Sequence, residues 1–302
     1  MRSILKKLIS IVSVLVLSVS TLVGCGASED KEFLKMPNDK PGLLYKVKDT
    51  EVYLFGTQHE ANKSSFPLNE SIETSLKSSD IFASEQGSDL GNFHLDFNMY
   101  KYEEGDNIYN HVSEDGKEII KNTIDNLKVD EVYLEYTPFI FNAIAIENYK
   151  KEKKIKNTTS LDQYLTEMAK ENNKEIISLE GGEFQADLMK KFSDFDLEIL
   201  MIDDLKNLDL SYDSLNEGIK ALGEGNEKFF EEYRKDAKNL LSEDGYNMFL
   251  FNRDKNMTEK IEDYIKNKDK VFVAVGAVHL VGEDSVVGQL RSKGYEVEKV
   301  TN

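Results

Sequence analysis

The sequence predicts an α/β fold: a mixed, largely parallel sheet with flanking helices and a large helical insert. Three observations predict it. Two apolar runs of strand type each empty into Gly-x-x-His, at Val52-Tyr-Leu-Phe-Gly56-Thr-Gln-His59 and at Val271-Phe-Val-Ala-Val-Gly276-Ala-Val-His279. Each of these frames is followed by a helical pattern and a further strand, the outline of a βαβ unit. Between the frames almost everything from Leu197 to Asn267 reads as helix.

In chain order, Leu43 to Lys48 and Glu51 to Phe55 alternate apolar and polar residues around Asp49-Thr50 and read as a hairpin. Glu70 to Lys77 is a short helix with Ile72 and Leu76 on one face, and Asp80 to Glu85 is a strand closing on a carboxylate. That strand directly follows the His59 unit, so it is expected beside it in the sheet. Helices follow at Gly116 to Leu127, Pro138 to Lys153 and Ser160 to Lys170. Lys174 to Glu180 is another strand closing on a glutamate, before Gly181-Gly182 and a helix over Glu183 to Phe192. Glycines at 223, 225 and 245 punctuate the helical stretch, whose charge runs, such as Glu231 to Asp236, read as solvated faces. Val271 to Val275, Ser285 to Lys293 and Tyr295 to Val300 then give strand, helix, strand.

The front of the chain is a separate matter. Met1 to Lys7 is basic and feeds an apolar stretch, Leu8 to Val23, with the flanks of a secretion signal. It ends Leu22-Val23-Gly24-Cys25, which resembles the bacterial lipoprotein box, where the cysteine is lipidated and becomes the new N-terminus. Cys25 is the single cysteine and has no partner for an internal disulfide. The alternative is an uncleaved N-terminal anchor with an incidental Cys25. The chain divides into a signal peptide at 1–24, a flexible tether at 25–41 and one α/β domain at 42–302, with the insert at about 183–267. The expected location is the cell membrane, on its extracytoplasmic side, held in the lipid bilayer through acylated Cys25. Losing Arg2, Lys6 and Lys7 with the leader takes the formal charge from −18 to −21. So acidic a surface repels phosphate backbones and argues against nucleic acid as a partner.

Four strand ends carry candidate groups: His59, Glu85, Glu180 and His279. A parallel sheet gathers such ends at one rim even when they are distant in sequence. Two imidazoles and a carboxylate, His59, His279 and Glu85, suffice for a divalent metal ion (Zn, Mn, Co or Fe) with positions left for water. Glu85 is expected as the third ligand or as the general base, a role a further carboxylate could also take, and hydrolysis is the natural outcome. The alternatives are two unrelated buried histidines, and Glu180 as a plain exposed strand end. Glu60 is expected to be exposed, and His94 and His111 to be surface residues. No His-Glu-x-x-His or Gly-x-Ser-x-Gly occurs.

These motifs, taken together, resemble one family. Gly56-Thr-Gln-His59 with Pro67-Leu68, Asp80 to Glu85, Leu161-Asp162, Ile177 to Glu180 with Gln185, Arg253 to Met257, and Val275 to Gly282 with Lys293 to Val297 look like the TraB/GumN family over about residues 42–300. That family is similar to the Tiki metalloproteases and is thought to share its α/β fold with erythromycin-esterase and ChaN-type proteins. The resemblance implies a metal-dependent hydrolase acting on a peptide or protein substrate outside the membrane. Its two Gly-x-x-His motifs fall on His59 and His279 and its acidic positions on Glu85 and Glu180. Its Arg-Asn pair falls on Arg253 and Asp254, where this chain carries aspartate for asparagine. Arg253 is then expected either to clamp a substrate carboxylate or oxyanion, or to pin a helix by pairing with a site glutamate. A surface lipoprotein of the same fold that captures a peptide or haem-like ligand without turnover is the rival reading.

Overall fold

Apolar, β-branched runs make the strands, and capped amphipathic runs make the helices. The computed structural model describes residues 31–87, 96–156 and 158–301; the expected leader, Cys25 and His94 lie outside them. β1 (Leu44–Val47) and β2 (Val52–Thr57) form the hairpin and are followed by the short β3 (Ala61–Asn62). α1 (Glu70–Ser78) starts at Asn69, whose side chain accepts from the Ser71 amide, and leads to β4 (Ile81–Ser84). α2 (Glu114–Leu127) and α3 (Pro138–Glu152) precede β5 (Thr158–Thr159), which pairs with β3. α4 (Leu161–Glu171), capped by Ser160, leads to β6 (Glu175–Ser178). Then come α5 (Gly182–Lys191), α6 (Asp194–Leu205), α7 (Leu208–Glu224), α8 (Glu227–Leu240) and α9 (Glu243–Tyr246). A π-helical turn over Asn247–Phe251 joins α9 to α10 (Asn252–Asn267). β7 (Val271–Gly276), α11 (Val286–Ser292) and β8 (Val297–Lys299) complete the chain.

Six strands make one sheet in the order β6-β4-β7-β2-β1-β8. β6, β4, β7 and β2 run parallel, while β1 is antiparallel to both β2 and β8. β4 therefore does not lie beside β2, as its position after the first motif suggests: β7 enters between them, with Val271 opposite both Val52 and Ile81. The reason is burial. Val271, Phe272, Val273, Ala274 and Val275 have no solvent exposure, and a strand apolar on both faces reaches its lowest free energy at the centre of a covered parallel sheet. Phe272 packs against Phe55 of β2 at 6.1 Å and Phe82 of β4 at 6.4 Å between ring centroids. Placing β7 there inserts the second histidine motif between the first motif and Glu85.

Two stretches depart from their sequence reading. The expected tether is docked from Phe33 onward: Phe33 stacks on Tyr212 of α7 at 5.1 Å, Met36 is buried, and the Met36 amide donates to Ser65 Oγ at 2.9 Å. A polar segment whose large apolar residues are only Phe33, Leu34 and Met36 reads as a linker, yet Phe33 and Met36 are its anchors while Leu34 stays exposed. Gly223 makes room for it, since a Cβ there would lie 2.3 Å from the Pro37 carbonyl oxygen. The helical lobe is also not one sequence block. A second core of Ile108, Ile120, Val129, Phe141, Ala145, Met201 and Leu205 joins α2 and α3 to α6.

Candidate functional site

The four parallel strands each deliver one candidate group at their carboxyl ends. Thr57 at the end of β2 stands opposite Gly276 at the end of β7, and Ser84 of β4 stands opposite Ala274 of β7 and Ser178 of β6. Beyond the last ladder pair the backbone stays tied, because the Glu180 and Gly181 amides both donate to the Glu85 carbonyl, at 2.9 and 3.1 Å. His59, Glu85, Glu180 and His279 thus meet at one rim, where ligands bind in folds of this kind. Both motif glycines matter for space. A Cβ at Gly56 would stand 3.1 Å from Ala277 Cα, and one at Gly276 would stand 3.4 Å from both Glu85 Oε1 and His279 Cδ2.

Each histidine is held through Nδ1 by a carboxylate that the sequence motifs do not announce as its partner. His59 Nδ1 lies 3.0 Å from Asp162 Oδ2, and the other Asp162 oxygen accepts from Thr57 Oγ1 at 2.7 Å. Asp162 sits in the first turn of α4, where the helix dipole favours an anion. His279 closes the tight turn after β7, fully buried, with Nδ1 2.5 Å from Asp254 Oδ1. Asp254 Oδ2 accepts in turn from Arg234 Nη1 at 2.7 Å. Arg234 is buried, so the run from Glu231 to Asp236 is not a solvated face throughout: Tyr233 and Arg234 turn inward while Glu231 and Lys235 stay exposed. In both rings Nδ1 is the nitrogen that meets the aspartate.

Glu85 and Glu180 share Arg253. Its Nε and Nη2 donate to the two Glu180 oxygens at 2.8 and 2.7 Å, Nη2 donates also to Glu85 Oε2 at 2.8 Å, and Nη1 reaches the Phe249 carbonyl at 3.3 Å. The other Glu85 oxygen accepts from the Gly276 amide at 2.6 Å. Arg253 is only 2% exposed, so it pins the two glutamates instead of opening towards a substrate. The π-helical turn just before α10 supplies the Phe249 carbonyl that receives it. Glu180 is therefore no exposed strand end.

The electrostatics follow from this packing. Burial disfavours the Glu85 carboxylate, but Arg253, His279, His59 and the Gly276 amide outweigh it and hold the group at about 2. Burial likewise opposes a charge on His59, yet the Asp162 bond, with Glu85 and Glu60 nearby, pushes that ring up to about 9. Glu60 is not free: it pairs with Lys150 of α3, which also bonds Glu147 at 3.2 Å. The donor set suits a divalent cation in kind, since it combines two imidazoles, each backed through Nδ1 by a carboxylate, with an anionic Glu85. Among the described residues no three histidine, cysteine or acidic side chains already stand at metal-binding spacing.

His111 lies outside this site and is not a plain surface residue. Its Nδ1 is 2.9 Å from Asp194 Oδ2, its Nε2 is 2.8 Å from Asp106 Oδ2, and its ring stacks on Tyr102 at 4.1 Å. Only an imidazolium donates from both nitrogens. Burial works against that charge, but the two aspartates raise the ring's pKa above its ordinary value. A raised folded-state pKa means that the contribution to stability is complete below the unfolded value, near 6.5, and is lost as pH rises through the folded one. Urea unfolding of the wild type and His111→Gln is expected to show its widest gap on the acid side of about pH 6.5 and a gap that narrows as pH rises above it. A gap that widens with pH contradicts the assignment.

What the sequence reasoning missed are the partners: Asp162, Asp254 as the companion of His279, Arg234 and Thr57. Leu161-Asp162 and Arg253-Asp254 stand out only as motif positions, with nothing local to say which ring each aspartate meets. Compared with known proteins, the chain matches no curated protein and no solved structure. The family described as TraB/PrgY/gumN matches residues 43–299, nearly all of the domain that carries this site. Its span takes in both Gly-x-x-His motifs, both glutamates and their arginine, and the chain belongs to the TraB/PrgY/gumN family.

Proposed function

We propose that the protein is a metal-dependent hydrolase that cleaves a peptide or protein substrate on the extracytoplasmic side of the membrane, held there by lipid on Cys25. The observation that supports this reading most is the pair of carboxylate-backed imidazoles, His59 on Asp162 and His279 on Asp254, gathered with ionised Glu85 at one strand edge. His59 and His279 would hold the metal through Nε2, and Glu85 would be the third ligand. When bound, such a metal activates water and polarises a carbonyl. A carboxylate held at about 2 is a poor general base near neutral pH, so Glu85 suits ligation better than proton abstraction. Arg253 helps to keep Glu85 ionised, and Glu180 holds Arg253 in place. Among the described residues no helix is long and apolar enough to cross a membrane, and the attachment in this reading is the lipid.

The test is digestion of a peptide library by the purified protein, with and without chelator, followed by restoration with added metal. Cleavage that chelator abolishes and metal restores is the expected result. Ligand capture without cleavage under every condition favours the binding lipoprotein instead.

A further inference from the structure

We infer that Arg234, carried by α8 of the helical insert, is the positioning residue for His279. This inference rests on the metal-site reading above. Arg234 Nη1 bonds two groups at once, Asp254 Oδ2 at 2.7 Å and the Val278 carbonyl at 2.8 Å. The first is the carboxylate that holds the His279 ring, and the second is the backbone immediately before it. One guanidinium therefore fixes both the ring's companion and the peptide from which the ring hangs. Its Nη2 is held from the far side by Asp284 Oδ1 at 2.8 Å and Tyr246 Oη at 3.4 Å, and Tyr246 Oη donates to Asp284 Oδ2 at 2.8 Å. Gly282, with φ of +95°, lies against the stem, since a Cβ there would stand 3.3 Å from Arg234 Cδ.

A cation placed merely to neutralise Asp254 needs neither the Val278 carbonyl nor the second anchor. The planar fork does: a lysine offers one charge centre and cannot span Asp254, Val278 and Asp284 together. The insert thereby becomes part of the site's supporting shell, with Arg234 as one of its buried links to the turn that carries His279. Asp162, the companion of His59, comes instead from α4 and takes its second bond from Thr57. The two rings are thus supported from different parts of the fold.

The experiment uses the full chain, metal-free, and titrates cobalt(II) into wild type, Arg234→Gln, Arg234→Lys and Asp284→Asn, with thermal melts alongside. Outer-shell partners of metal-bound histidines change affinity about 10- to 100-fold. Arg234→Gln is expected to fold and to lose affinity in that range. Arg234→Lys is expected to recover melting temperature more than affinity. Asp284→Asn, which leaves Asp254 untouched, is expected to show a smaller loss and carries the test if Arg234→Gln does not fold. Affinity within twofold of wild type in folded variants overturns the inference. Imidazole nitrogen NMR of the metal-free protein gives a second readout, with the His279 proton on Nδ1 in wild type and spread between nitrogens in folded Arg234 variants. If wild type binds no cobalt(II), the metal reading falls and the NMR arm alone decides the role of Arg234; an unchanged His279 signal overturns it.

Discussion

Replacing Arg253 with methionine is expected to lower the free energy of unfolding by about 3–5 kcal/mol, the cost of leaving a buried ion pair without one partner. The guanidinium is fully enclosed and is the shared cation of Glu85 and Glu180, so its loss strands two carboxylates at side-chain exposures of 10% and 3%. Burial already works to raise the Glu85 pKa, and removing Arg253 takes away the largest influence that opposes it. Glu85 is then expected to take up a proton within the acid range in which the wild-type group stays ionised. Arg253→Lys should recover part of the stability, because it restores charge without the two-pronged geometry on Glu180. Urea unfolding of the three proteins measures this. A loss below about 1 kcal/mol, the scale of a surface ion pair, would mean that the cluster is solvated and the site differently built.

The second large effect concerns the two histidines, which differ in what they cost. His59→Ala and His279→Ala are each expected to reduce peptide hydrolysis by more than about 100-fold, beyond what loss of an outer-shell partner gives. Their effects on stability should diverge. The His59 side chain is 25% exposed and leaves behind an Asp162 still bonded to Thr57, so above about pH 9, where the ring has lost its charge, its removal should barely move the melting curve. His279 is buried, and its removal leaves Asp254 Oδ1 without its donor, a penalty of about 1–3 kcal/mol. Equal stability losses, or hydrolysis that survives either change, would separate the rings from the chemistry.

Much of this fold is legible in the chain because the strands are short apolar runs with clear ends. The hairpin, the helix after the first motif, the strands that close on Glu85 and Glu180, and the strand–helix–strand finish all follow from period and punctuation. Strand order is another matter. Nothing local to β4 says that a strand arriving almost two hundred residues later will separate it from β2; only the unbroken burial of Val271 to Val275 demands a central place. The site divides in the same way. Glycine and histidine at a fixed offset advertise themselves, whereas the companion of His59 lies 103 residues downstream and that of His279 lies 25 residues upstream on a helix. Arg253 was open to two uses in the sequence, and the side chain's enclosure by Glu180, Glu85 and the Phe249 carbonyl selects the pin over the clamp. Arg234 is hidden in the sequence by its neighbours, since an arginine among charged residues of a helix gives no sign of facing inward.

Elemental analysis of the metal-loaded, dialysed protein tests the central claim most directly. The account predicts about one divalent ion per chain in the wild type, lost from His59→Ala and from His279→Ala while both remain folded. Wild-type protein that retains no ion after exposure to zinc, manganese, cobalt and iron, or variants that retain as much as the wild type, would contradict it.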